Sequence, residues 1–149
     1  MNGFLALLEQ QSLRAAAELT ACNEFTVRFG LYLSDEQAKA LLEKRMDALI
    51  ETGRIEFGEG ILKKLIFEFC DSPYVMQDSY TQTLLALQDA FYYFKNESLD
   101  QIPDDELIGY MKRHFDDDCE GSLEYLCGSS LEDLCRSARY GLSWEEDDE

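Results

Sequence analysis

His114, Cys119, Cys127 and Cys135 fall within 22 residues, and the stretch FDDDCEG (residues 115–121) gathers Asp116, Asp117, Asp118 and Glu120 around one glycine. Imidazole, thiolate and carboxylate are the ligands of zinc and calcium and the working groups of many hydrolases. Spacing tests each chemistry in turn. Counted as a calcium loop from Asp116, positions 1, 3, 5 and 6 are Asp116, Asp118, Glu120 and Gly121, and Leu123 suits the apolar position 8. The bidentate glutamate required at position 12 is Cys127. The loop therefore lacks its strongest ligand, which leaves at most weak, non-selective cation binding. As a zinc site, the four ligands are separated by 4, 7 and 7 residues, with none of the close pairs that structural zinc sites carry. Free cysteine is among the most buried residue types, so core cysteines are the expected reading. No metal and no cofactor are expected.

His114 is the only histidine, so any Ser-His-Asp or Cys-His arrangement has to use it. Its place beside the apolar Phe115, near a helix end where cations are favoured, accounts for it without catalysis. Asp104 and Asp105 are adjacent carboxylates of the kind used in acid–base work. They also follow Pro103 at a helix start, where the dipole favours negative charge. The chain has no Walker A loop, no G-x-G-x-x-G, no H-E-x-x-H and no G-x-S-x-G. An enzyme is not the favoured reading.

These residues sit on a chain whose periodicity is mainly helical. The segment SDEQAKALLEKRMDALIETG opens with a capping box, Ser34 and Gln37, and closes on Gly53. Its expected apolar face is Ala38, Leu41, Leu42, Met46, Leu49 and Ile50. GILKKLIFEFC puts Ile61, Leu62, Leu65, Ile66 and Phe69 on one side, with Lys63 and Lys64 opposite. Ser72 and Pro73 then read as the cap and first position of a new helix. Tyr80, Leu84, Leu87, Phe91 and Phe94 recur at spacings of 4, 3, 4 and 3, a core stripe behind a second capping box, Ser79 and Gln82. Leu107, Ile108, Met111 and Phe115 are the buried face of the helix after Pro103. Gly128 divides the last two helical pieces, and Ser129 with Glu132 caps the second.

EFTVRFGLYL is the ambiguous stretch, because Phe25, Val27, Phe29, Leu31 and Leu33 alternate like a strand. Gly30 argues for a turn after a short helix starting at Asn23. The expected fold class is all-α, a compact domain of five to seven helices. The alternative is α+β with one short β-hairpin near residues 24–33 and 54–57. One domain, residues 1–143, is followed by an acidic tail at 144–149.

Charge divides the chain. There are 31 acidic and 13 basic residues, a net of −18. Residues 1–66 hold 10 acids and 8 bases, whereas residues 67–149 hold 21 and 5. A half-chain at −16 repels phosphate backbones, so direct nucleic-acid binding is not expected; a basic protein partner is. Five cysteines, no basic segment before the first apolar run and no apolar stretch near 20 residues point to reduced thiols, no membrane span and a cytoplasmic setting.

The stretches GRIEFGEGILKKLIFEFCDSPYV, FYYFKNES and DDELIGYMKRHF resemble a family of small uncharacterised proteins of Gram-positive Firmicutes, most strongly over residues 53–115. That resemblance implies a bacterial, cytoplasmic protein and brings no catalytic residue with it. FYYFKNES also offers a surface. Tyr92 and Tyr93 flank the core stripe, Lys95, Asn96 and Glu97 follow, and tyrosine suits interfaces. With Asp104 and Asp105 these form the candidate interaction surface of a non-enzymatic protein-interaction domain. The alternatives are a small enzyme or ligand-binding domain using carboxylates and His114, and an acidic mimic of nucleic acid.

Overall fold

The structure, a computed structural model, describes residues 2–55, 60–117, 119–122 and 130–140. Its centre is the helix with the strongest core stripe. α5 (Tyr80–Glu97) buries Tyr80, Leu84, Leu87, Phe91 and Phe94, and also Gln88, Ala90, Tyr92 and Lys95. Burial on so much of the circumference requires neighbours on several sides. They are α3 (Asp35–Thr52), α4 (Leu62–Phe69), α6 (Asp104–Asp116) and α7 (Ser130–Arg139). α1 (Asn2–Ala21) packs on α3 and α4. With the single turn α2 (Asn23–Thr26), the described residues form an all-α fold without a strand. No described helix is long and apolar enough to cross a membrane.

The strand-like alternation of residues 25–33 does not make a strand. α2 runs into a 3₁₀ turn, Val27–Phe29, and Gly30 adopts a left-handed φ of 79°. The backbone groups a strand would offer are taken locally. The Asn23 amide donates to the Leu33 carbonyl and accepts from the Leu33 N–H, both at 2.8 Å. The Thr26 hydroxyl donates to the Leu31 carbonyl at 3.0 Å. Only Leu31 and Leu33 of the alternating set are buried; Phe25, Val27 and Phe29 face out. On the other side of the expected hairpin, Arg54 and Ile55 are not in a strand, and residues 56–57 lie outside the described residues.

α3 starts as expected. The Ser34 hydroxyl accepts from the Gln37 N–H, and the Gln37 side chain accepts from the Ser34 N–H. Gly53, at φ 69°, ends the helix, its N–H reaching back to Ile50 and Leu49. The buried face is narrower than the apolar pattern. Ala38, Leu41 and Leu49 are buried and Leu42 half-buried, but Met46 is exposed and Ile50 is 74% exposed. Arg45 is buried instead. Spacings of 3, 4 and 4 from Ala38 to Leu49 pass through position 45, so the long stem of an arginine completes the stripe.

α4 buries Ile61, at its N-cap, with Leu62, Leu65, Ile66 and Phe69, while Lys63 and Lys64 face out. No helix begins at Ser72 and Pro73. The Ser72 hydroxyl accepts from the Tyr74 N–H and donates to the Asp116 carboxylate at 2.6 Å, which holds the segment as a turn against the end of α6. Lys112 bridges the same carboxylate and Asp71. A 3₁₀ turn, Gln77–Ser79, then leads into α5. The expected Ser79–Gln82 box does not form: the Ser79 N–H is taken by the Met76 carbonyl, and the Ser79 side chain makes no capping bond.

α6 follows Pro103 with Asp104, Asp105 and Glu106 in its first turn, and buries Leu107, Ile108, Met111 and Phe115. Its C-terminal carbonyls are taken by the acidic turn: Asp117 N–H to Arg113, Cys119 N–H to His114, and Gly121 N–H to Phe115 at 2.7 Å. Asp118, Leu123, Cys127, Gly128 and Ser129 lie outside the described residues, and with them half of the calcium-loop positions and the last expected cap. So does the expected tail at 144–149. α7 seats Leu131, Cys135 and Ala138 against α5 and α6. Burying a side chain of leucine or phenylalanine size contributes about 1.5–3 kcal/mol, so α5, with the most such groups, anchors the packing.

Candidate functional site

α3 and α5 pack together and line an open groove of about 660 Å³. Residues one helical turn apart form its walls. Lys44, Asp47 and Glu51 come from α3; Leu85, Asp89, Tyr92, Tyr93 and Asn96 come from α5. Three carboxylates against one ammonium make the groove acidic. The Asp89 carboxyl is held above its ordinary range, first by loss of solvent and then by the nearby Glu51 charge, with Lys44 opposing. Tyr92 is buried, its ring 5.4 Å from that of Phe91, and forms the floor. Tyr93 is exposed at the rim, and its hydroxyl donates to Glu132 on α7. That bond to a carboxylate, reinforced by lost solvent, pushes the phenol up to about 12.

The seven residues expected to share a surface are distributed over four places. Tyr92, Tyr93 and Asn96 line the groove. Lys95 is buried on another side of α5, where its ammonium donates to the Ile102 carbonyl at 2.7 Å and pairs with Asp104 at 2.8 Å. Glu97 accepts from Arg136 and Arg139 of α7, and its carbonyl accepts from Arg139 at 2.7 Å. Asp105 pairs with Lys64 at 2.9 Å, at a second cavity of about 370 Å³ between α4 and α6. Adjacent in sequence, Asp104 and Asp105 thus bind different lysines and do not form a catalytic carboxylate pair. His114 is half-buried near the end of α6 and lines neither cavity.

Cys22, Cys70, Cys119 and Cys135 are buried, and none is in a disulfide. Burial, then the charges of Glu97 and Glu132, pushes the Cys135 thiol up to about 12, and burial also raises Cys70. Groups held as thiols are poor nucleophiles and poor metal ligands. Among the described residues no cluster of three or more histidine, cysteine or carboxylate side chains could hold a metal ion.

Asp47, Glu51 and Asp89 escape sequence reasoning because each reads as part of a solvated helix face. Their one signal is the helical spacing of Lys44, Asp47 and Glu51, which puts them on one side of α3. Nothing in the sequence says that this side and the Asp89 side of α5 will face each other.

No curated protein and no solved structure matches the chain. A family model matches residues 18–144, from the end of α1 through α7. The chain therefore belongs to the family of unknown function DUF6323.

Proposed function

We propose that this domain is a non-enzymatic protein-interaction module, and that the α3–α5 groove receives a cationic segment of its partner. The observation that carries this reading is the juxtaposition of Asp47, Glu51 and Asp89 with the exposed ring of Tyr93 and the floor of Tyr92. Carboxylates attract lysine or arginine, and tyrosine faces favour the same cations. Loss of solvent first, and the Glu51 charge after it, disfavour ionised Asp89 in the unliganded protein. A cation bound beside the carboxylate offsets both. The net charge of −18 adds long-range attraction for a basic partner.

The test is a fluorescence-anisotropy titration of a lysine- and arginine-rich peptide into the wild type and into Asp47→Asn/Glu51→Gln/Asp89→Asn. The expected result is binding that weakens with salt and falls about tenfold or more in the triple variant, as loss of close charge pairs implies. Equal binding by both proteins, or none by either, removes the groove as the docking place.

A further inference from the structure

The α3–α5 groove draws on a third helix. Tyr93, 37% exposed at its rim, reaches across to α7, where its hydroxyl donates to the Glu132 carboxylate. Glu132 is fixed in its turn. Arg136, one helical turn on, donates to it at 2.9 Å and to Glu97 of α5 at 3.3 Å. Glu132 stands outside the groove lining, and its side chain is only 19% exposed. Its charge is shared between a phenol and a guanidinium and is not offered to a groove ligand.

Two consequences reach the tyrosine ring. A side chain that must be ordered on binding weakens the complex, and the bond to Glu132 orders this one beforehand. A phenol that donates to a carboxylate also gains phenolate character. That deepens the negative charge on the ring faces, the part of an aromatic ring that attracts lysine or arginine. Asp47, Glu51 and Asp89 give the groove its charge; the fixed ring gives it a surface on which a cation can stack.

We propose that Glu132 is a positioning residue for the groove: it holds and polarises Tyr93 as the wall against which a lysine or arginine of the partner stacks. This inference rests on the groove reading above and extends it to α7. Glu132 reaches Tyr93 while Leu131, Cys135 and Ala138 are seated on α5 and α6, so the groove is a three-helix site. One wall is set by a residue that does not touch the ligand.

The experiment uses the full chain and two labelled peptides of one sequence, with arginine or its neutral isostere citrulline at the same positions. Anisotropy is read for the wild type, Glu132→Ala, Glu132→Gln, Tyr93→Phe, Glu132→Ala/Tyr93→Phe and Asp47→Asn/Glu51→Gln/Asp89→Asn, all checked for folding by circular dichroism. Support is arginine-peptide binding that falls about threefold to tenfold in Glu132→Ala and in Tyr93→Phe, the scale of one cation–π contact, and no further in the double variant. Glu132→Gln, which keeps an acceptor for the phenol, should recover part of the loss. The preference for arginine over citrulline should narrow in both single variants, whereas a bond that merely holds the fold would lower both peptides alike. The proposal is overturned if the two losses multiply in the double variant, because Glu132 then acts through its own charge, or if the preference for arginine does not change. Full binding by Glu132→Ala and Tyr93→Phe, with loss in the triple groove variant, overturns the proposal and leaves the groove reading standing. No binding of the arginine peptide by the wild type overturns both.

Discussion

The backbone of Gly121 lies directly against the side chain of Tyr74. A Cβ built on the glycine would stand 2.5 Å from the tyrosine Cβ and 2.6 Å from its Cγ. The glycine also sits at φ 82°, after Glu120 at φ 48°. Tyr74 has little freedom to withdraw, because its ring meets Phe115 edge-on at 6.2 Å and Phe115 in turn meets Phe69. The acidic turn FDDDCEG is thus a close-packed helix stop whose glycine is there for space and conformation.

Gly121→Ala is expected to destabilise the fold by about 1–3 kcal/mol, combining left-handed strain with overpacking. Urea denaturation measures it. Tyr74→Ala leaves the offending Cβ in place and relieves little of the clash. Tyr74→Gly removes the clash, so Gly121→Ala should cost markedly less in that background. Equal costs in the two backgrounds would contradict the packing argument.

α7 is tied to α5 by three polar contacts as well as by Leu131, Cys135 and Ala138. They are Tyr93 to Glu132, Arg136 to Glu97, and Arg139 to the Glu97 carboxylate and carbonyl. Arg139→Ala removes two bonds at a partly buried position and should lower stability by about 1–2 kcal/mol. Arg136→Ala, more exposed, should cost less than 1 kcal/mol or so. The order of the two urea midpoints is the check, and a reversed order would refute the assignment.

Lys95 holds the connection between α5 and α6. This loop places Leu99 and Asp100 at φ 52° and 61°, conformations that ordinary side chains adopt at a cost. Lys95 binds the Ile102 carbonyl and Asp104, while Arg54 binds Asp100 at 2.5 Å and Asn96 at 2.7 Å. Lys95→Met keeps the buried stem and deletes the ammonium, so the Ile102 carbonyl loses its partner, at about 1–3 kcal/mol. Hydrogen exchange should accelerate at the amides of residues 98–103 and at the start of α6. Unchanged exchange there would mean that the loop is held by other contacts.

Much of this architecture is legible in the sequence wherever a local rule decides it. Ser34 and Gln37 form their box, Gly53 stops α3, and the 4-3-4-3 stripe of α5 is wholly buried. The rule fails where tertiary neighbours choose among equivalent local options. Ser79 and Gln82 match the capping pattern, yet the Ser79 N–H goes to the Met76 carbonyl of the preceding turn and the Ser79 side chain makes no cap. Ile50 belongs to an apolar periodicity but lies beyond the width that α1 and α5 cover, while Arg45 lies within it. The site is less legible for the same reason. Tyr93 and Asn96 are marked by composition, but Asp47, Glu51 and Asp89 become one site only when α3 meets α5. Lys95 and Glu97 look like surface and are structural, because their partners, Asp104 and Arg139, are brought back by later helices.

The Asp89 carboxyl gives the groove a pH signature. Its range is raised by lost solvent and by Glu51, so the folded protein holds this proton more tightly than the unfolded chain does. A carboxyl of this kind contributes stability that is fully present below the unfolded value of about 3.9 and lost as pH rises through the folded value. Ionised Asp89 is therefore a small liability at neutral pH. Asp89→Asn should melt higher than the wild type at pH 7, and the difference should vanish as pH falls below about 4. A basic peptide favours the ionised form, so its binding should release protons in the window between those two values and weaken as pH falls through it. Calorimetric titration in buffers of different ionisation enthalpy reads that release. A pH-independent melting difference would mean that the Asp89 carboxyl is not raised by folding, and binding without proton release in that window would mean that Asp89 does not face the bound cation.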